Sequence, residues 1–327
     1  MTEAALIEAA RAGDESAFRV LTDRHKRELH VHCYRMLGSI HDAEDALQDS
    51  LLRAWRHLAG FEGRSSFRAW LYRIATNVCL AAATRRSEPE HDEDIVLTPY
   101  PDEWLDELPS NAAEPSARYD QHESVQLALL AAVQMLPPRQ RAVLLLRDVL
   151  GFSAREAAEL LDATPASVHS TLQRARATIE RRQAEGRLDL ERTSPPDDVE
   201  RSLVHRYVQA WESIDVAGLL RLLREDAVMT MLPDPAVFLG SSAIVDFFST
   251  VPAGGALDQI PLLTARANRQ PAVAAYALDP EAGVHRPYGI MVLSLDGDSI
   301  AEITGCTDSA VFPLLGLPNI LKAEVRD

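Results

Sequence analysis

Apolar positions recur at helical spacing through the first 86 residues. The clearest stretch is "DAEDALQDSLLRAWRHL" from Asp42, where Ala43, Leu47, Leu51, Ala54 and Leu58 form one inward stripe. Its other side carries Glu44, Asp45, Gln48 and Asp49, with Arg53 an i,i+4 partner of Asp49. Gly13, Gly38, Gly60 and Gly63 fall between the periodic stretches. Over 87–122 the period is lost among five prolines and eleven acids, a composition that cannot build a core and reads as an extended linker. Helical spacing returns over 123–185, and "RTSPPDD" at 192–198 is a second, shorter linker. From 199 a helical run gives way to strand-like "AVMTMLP", "PAVAAYAL", "YGIMVLSL" and "SIAEITGC", with "DGDS" a hairpin turn. The pattern predicts two all-helical domains, 1–86 and 123–192, joined by the 87–122 linker, then an α+β domain over 193–327.

Within 123–192 the local signals are sharp. Ser153 with Glu156 is a capping box, Thr164 a fitting N-cap and Pro165 a fitting first helical residue. Val168, Leu172, Ala175 and Ile179 make the buried stripe of the second helix; Ser167, Thr171, Arg174 and Arg181 occupy its other face, flanked by His169, Gln173 and Arg176. Two short helices joined by a tight turn suit a DNA-binding helix-turn-helix better than the plain helical hairpin with a solvated basic face that is the alternative.

The segment "FEGRSSFRAWLYRIATNVCLAAATRR" from Phe61 interleaves aromatic residues with Arg64, Arg68, Arg73, Arg85 and Arg86. Aromatic rings and arginines together suit unstacked bases and a single-stranded backbone. The competing role is core packing, favoured for Trp70 and Ile74.

Charge sharpens the division. The formal net charge is −16. Residues 1–88 carry +1 and 125–192 carry +2, whereas 89–124 carry −10 and 193–327 carry −9. The two helical regions are therefore free to meet DNA although the total is acidic. Three cysteines, Cys33, Cys79 and Cys306, argue against a disulfide framework and for a reducing cytoplasm. The N-terminal stretch lacks the basic and apolar regions of a signal peptide, and no apolar run approaches the ~18 residues of a membrane span. His30, His32, Cys33 and His41 lack a second Cys/His pair nearby, so a structural role outweighs a zinc site; neither metal nor cofactor is expected.

Taken in order, these segments resemble an extracytoplasmic-function (group IV) sigma factor of bacterial RNA polymerase. The resemblance implies partners in promoter DNA and in core polymerase, its β′ and β subunits. The helix from Asp42 would dock on the β′ coiled coil through Asp42, Glu44, Asp45, Gln48, Asp49 and Arg53. Phe61, Arg64, Ser65, Phe67, Arg68, Arg73 and Asn77 would melt and read the −10 element. "LPPRQRAVLLLRDVLGFSAREAAELLDATPASVHSTLQRAR" is similar to the domain that reads the −35 element, through Arg155, Thr164, Ser167, His169, Ser170, Thr171, Arg174 and Arg176. The acidic linker would thread near the RNA path. Many relatives have lysine and arginine at His169 and Thr171, and many have glycine where this turn has Asp162-Ala163.

"RYVQAWESIDVAGLLRLLREDAVMTMLP", followed by "FLGSSAIVDFF", resembles the start of a SnoaL-like domain, a cone-shaped α+β fold with a pocket. Trp211, Met229, Met231, Phe238, Tyr276, Tyr288 and Ile290 would line it, each with core packing as the plainer alternative, and a small molecule would be its ligand. Asp234, Asn268, His285 and Asp308 form no recognisable acid–base constellation, so no catalysis is expected. The leading expectation is a cytoplasmic sigma factor modulated by its fused C-terminal domain. The competing classes are a stand-alone helix-turn-helix regulator with a ligand-sensing SnoaL-like domain, and a SnoaL-like enzyme with a vestigial DNA-binding portion.

Overall fold

The computed structural model describes residues 2–85, 97–106, 133–184, 197–233 and 236–322. Much of the two expected linkers, the first ten residues of the second helical region, Arg86 and Asp234 lie outside them. The described residues form a helical unit (2–85, 104–106 and 133–184) and an α+β unit (97–103 and 197 onward).

The helical unit begins with α1 (Glu3–Arg11), α2 (Glu15–Leu37), α3 (Ile40–His57) and α4 (Phe67–Arg85). Thr2, Asp14 and Ser39 cap the first three through side-chain oxygens. Helix α2 stops at Gly38, whose φ of +75° is the left-handed conformation that ends helices. Leu21, Leu29, Tyr34 and Met36 of α2 pack with Ala43 and Ala54 of α3 and Phe67, Leu71 and Val78 of α4 as buried core. On α3, Ala46 and Ser50 join the expected stripe, with the Ser50 hydroxyl turned back to the Ala46 carbonyl, while Leu51 is only half-buried.

His32 sits in this core with one ring nitrogen 2.9 Å from the Thr76 hydroxyl. Burial, with the Arg35 and Arg68 charges nearby, pushes its pKa down to about 3, so the ring is held neutral. An unfolded histidine takes up a proton below about pH 6.5 and the folded one does not. Its contribution to stability is therefore complete above that pH and lost as pH falls toward 3, by up to about 1.4 kcal/mol per pH unit. Urea unfolding of His32→Gln should show a flatter pH dependence between pH 6 and 4 than the parent chain.

The second set of helices is α5 (Asp102–Asp106), α6 (Pro138–Leu144), which continues through a π turn over Leu145–Val149, α7 (Ala154–Leu160) and α8 (Pro165–Ala184). The capping box is present in both directions: Glu156 N–H donates to Ser153 Oγ at 3.2 Å and Ser153 N–H to Glu156 Oε2 at 2.8 Å. Thr164 caps α8 through the Ser167 N–H, and Val168, Leu172, Ala175 and Ile179 are all buried. Arg141 joins the two helical sets. Its buried guanidinium donates to the carbonyls of Met36, Gln134 and Leu136 and to the Gln134 side chain, and Gln134 donates to the Arg35 carbonyl.

In the α+β unit, α9 (Asp197–Glu212), α10 (Val216–Leu222) and α11 (Ser241–Thr250) accompany a curved sheet of β1 (Leu223–Leu232), β2 (Ala236–Leu239), β3 (Leu262–Ala267), β4 (Gln270–Asp279), β5 (Val284–Asp296) and β6 (Ser299–Cys306). The order is β2-β1-β6-β5-β4-β3, antiparallel except for β1 beside β6; short β7 (Leu321–Lys322) adds to β5, after the turn α12 (Val311–Leu314). Helices and sheet close over Tyr207, Trp211, Met229, Phe248, Leu293 and Ile303.

The expectation of an unpacked linker fails over 97–102. Pro99, Tyr100 and Pro101 are buried in the α+β unit. The β3–β4 hairpin turn, Asn268-Arg269, has both φ values positive (+55° and +61°), the two-residue geometry that matches sheet twist. It holds the segment: Asn268 N–H donates to the Tyr100 carbonyl at 2.9 Å, Asn268 Nδ2 to the Thr98 carbonyl at 3.1 Å, and Arg269 N–H to the Asp102 carboxylate. The composition that argued against a core is overridden by one aromatic residue finding a ready-made site.

Candidate polymerase and promoter interfaces

The acidic face of α3 is as the periodicity places it. Glu44, Asp45, Gln48 and Arg53 are exposed, and Asp42 and Asp49 half-buried. Gln48 donates to Glu44 at 2.9 Å and Arg53 to Asp49 at 2.8 Å. Glu44 also lies 3.4 Å from His30 Nε2, and the His30 ring packs edge-on against Trp104 at 5.2 Å. Leu52, 55% exposed, stands on this face one turn after Gln48 and Asp49. It gives no signal in the sequence beyond its offset from the inward stripe.

The segment from Phe61 divides. Phe61 and Phe67 are buried, with ring centroids 5.8 Å apart, edge to face, and 5.1 and 5.6 Å from half-buried Trp70. These two are core, which corrects their assignment to DNA. Aromatic side chains serve packing and stacking equally well, and only the tertiary contacts separate the two uses. Arg64, Ser65, Arg73 and Asn77 are exposed. Arg68 is half-buried, donating to Glu28 at 2.8 Å and stacking on the Tyr72 ring at 4.8 Å. Burial pushes the Glu28 carboxyl up, but the hydrogen bonds from His25 and Arg68 outweigh it and hold its pKa below the usual value.

On α8, Thr164, Ser167, His169, Ser170, Arg174 and Arg176 are exposed, as is Arg155 on α7. Thr171 is not: it is 8% exposed, three residues after Val168 and four before Ala175, and so falls on the buried stripe. Its hydroxyl accepts from Arg174 at 3.1 Å, so its expected DNA contact is withdrawn in favour of positioning that arginine.

One feature is shared by these surfaces. Arg64 pairs with Glu62, Arg68 with Glu28, Arg73 with Asp162, Arg155 with Glu159 and Arg176, through two hydrogen bonds, with Asp148. Most candidate DNA-binding cations already face a carboxylate.

In the α+β unit the expected pocket liners take different places. Trp211, Met229 and Tyr276 are fully buried; the Trp211 indole donates to the Ile260 carbonyl at 3.0 Å and the Tyr276 hydroxyl to that of Pro318 at 2.9 Å. Met231 and Phe238 are partly buried at the core's edge, Ile290 is buried, and Tyr288 is 39% exposed. Asn268 holds the linker segment, and Asp308 accepts the Ala310 N–H. An open groove between α9 and β3, about 740 Å³, is lined by residues including Glu200, His205 and Arg266, and a larger one between α9 and α10, about 940 Å³, by residues including Arg206, Asp215 and Arg221. No group of His, Cys, Asp or Glu among the described residues could hold a metal ion, and no helix among them is long and apolar enough to cross a membrane.

Comparison with known proteins follows the same division. Residues 21–88 match the Sigma-70 region 2 family, 126–179 Sigma-70 region 4, and 199–277 the nuclear transport factor 2 (NTF2) domain. The ECF RNA polymerase sigma factor SigG of Mycobacterium tuberculosis is 39% identical over 326 residues, covering 95% of this chain and 86% of that protein. The chain belongs to the ECF RNA polymerase sigma factors. A second sigma factor, SigW of Bacillus subtilis, is 29% identical and covers 53% of this chain and 92% of its own length. The solved structure of the sigma factor SigJ of Mycobacterium tuberculosis shares the fold with a TM-score of 0.54 at 20% identity, over 89% of this chain and 97% of that one. This sigma factor thus combines helical regions 2 and 4 with an NTF2-like (SnoaL-like) domain, and RNA polymerase and promoter DNA are the partners its family entails.

Proposed function

We propose that this sigma factor docks on the β′ coiled coil of core polymerase through the α3 face, opens and reads the −10 element with the loop and first turns of α4, and reads the −35 element with the first turns of α8. The polymerase- and −10-binding domain is 1–86, the −35-binding domain 123–192, and the NTF2-like domain, 193–327, modulates their activity. The observation carrying this reading is the pairing of the DNA-facing arginines with carboxylates. A cation already neutralised releases few counterions from DNA, so binding by the chain alone is weak and polymerase supplies most of the affinity.

The full-length protein without polymerase should therefore bind promoter duplex no more tightly than about 10⁻⁶ M at physiological salt, the non-specific range, in fluorescence anisotropy. Tight, sequence-specific binding by the chain alone would favour a stand-alone regulator. Modulation is supported by the tie between the linker segment at 97–102 and the β3–β4 turn, and by the filling of the cone with Trp211 and Met229. Run-off transcription with the full-length chain and with a chain ending at Arg192 tests it: a changed rate in either direction supports modulation, and equal rates sink it.

A further inference from the structure

The turn between α7 and α8 contains Asp162 at a φ of +47°. That left-handed conformation favours glycine, and helix-turn-helix turns often use it there. If the turn required only a positive φ, glycine would serve without strain, so the carboxylate calls for a second reason. It points away from its own turn and accepts a hydrogen bond from Arg73 Nη2 at 2.7 Å, from a residue 89 positions earlier. Arg73 is on α4, beside Tyr72. The Tyr72 ring meets Phe152, which precedes α7, at 5.6 Å, and the Arg68 guanidinium lies 5.7 Å from the same Phe152 ring. Arg68 and Tyr72 lie at i and i+4 on one face of α4, and exposed Arg73 stands about 100° further round, at the rim of that face. Phe152 meets the Arg68–Tyr72 face, and Asp162 reaches Arg73 at its rim.

We infer that Asp162 is a latch residue that occupies Arg73 and holds the helix-turn-helix against α4. The inference rests on the −10 assignment of Arg73 proposed above. A carboxylate oxygen in line with a guanidinium N–H presents the acceptor that a DNA phosphate would present, so the same N–H cannot serve both. Opening exchanges Asp162 for DNA on Arg73 and frees the helix-turn-helix to move. The pair is half-exposed, with side chains 47% and 70% accessible, so salt weakens it and its effect is modest.

The test uses the full-length chain with dyes on cysteines replacing exposed Ser16 of α2 and exposed Glu180 of α8. The native Cys33, Cys79 and Cys306 are buried and do not compete for label. Single-molecule energy transfer reads the ratio of closed to open molecules. Asp162→Gly relieves the backbone and Asp162→Asn tolerates it, so both fold. Each should lower the closed-to-open ratio by about two- to fivefold, the range an exposed ion pair supports, and tighten binding of a single-stranded −10 oligonucleotide by a similar factor. Raising salt should produce the same shift in the parent chain and little in Asp162→Gly. An unchanged ratio in both variants overturns the latch whatever happens to DNA binding. An opened chain that binds the oligonucleotide no better overturns the −10 assignment of Arg73.

Discussion

Replacing Asp45 and Asp49 together by lysine should weaken binding to core RNA polymerase by about a hundredfold, read by titrating labelled sigma factor with purified core enzyme. Asp45 is exposed on α3, and Asp49 is half-buried and paired with Arg53 on the same helix. Neither takes part in the core, so the double variant should keep its fold. Under the proposed docking, the acidic face meets a basic surface, so reversing two charges turns attraction into like-charge contact, worth several kcal/mol, and a hundredfold corresponds to about 2.7 kcal/mol. The loss should shrink as salt rises, as it does for screened charges. Leu52→Ser, on the same face, should add a smaller loss through removed apolar area, since the side chain is 55% exposed in the free protein. A double-lysine variant that binds polymerase as the parent does would place the contact elsewhere.

The second large effect concerns stability. Arg141→Met should lower the unfolding free energy of the helical unit by roughly 3 kcal/mol or more, measured by urea unfolding followed through helical circular dichroism. The guanidinium is buried and donates to three backbone carbonyls, those of Met36, Gln134 and Leu136. Methionine fills similar volume but leaves these acceptors without their donor in a dry site, where each costs on the order of 1–3 kcal/mol. Arg141→Lys should recover only part of the loss, because one ammonium cannot reproduce the planar fork. Met36 lies in the last turn of α2 and Leu136 precedes α6, so the arginine ties the α1–α4 set to the helix-turn-helix portion through their backbones. A loss below about 1 kcal/mol would show that the carbonyls find other partners.

What the sequence showed and what it hid divides along the range of the interactions. The Ser153–Glu156 capping box, the Thr164 cap and the stripe on α8 are set by neighbours within a few residues, and each is present as the pattern indicates. The acidic side of α3 follows from helical period alone. Residue type alone puts Phe61, Phe67 and Thr171 against DNA, because it says nothing of which side a neighbouring element will cover. Thr171 could have been read correctly, since its spacing to Val168 and Ala175 puts it on the stripe. Tyr100 was hidden for another reason. Proline and acid content describes the average segment, while the fate of 97–102 depends on a turn 170 residues away. The pairing of Arg73 with Asp162 and of Arg176 with Asp148 is equally non-local, yet it bears most directly on function. Composition located the basic faces, and only the folded chain reveals that their charge is largely spoken for.

That balance makes dependence on polymerase the central claim. The most direct measurement is permanganate reactivity of thymines in the −10 region of a promoter selected by the full-length protein with purified core enzyme. The account predicts reactive, unpaired thymines only when sigma factor and core polymerase are both present, and greatly reduced reactivity with the Asp45/Asp49 double-lysine variant. Opening of the promoter by core enzyme alone, or none by the two together on any promoter, would contradict it.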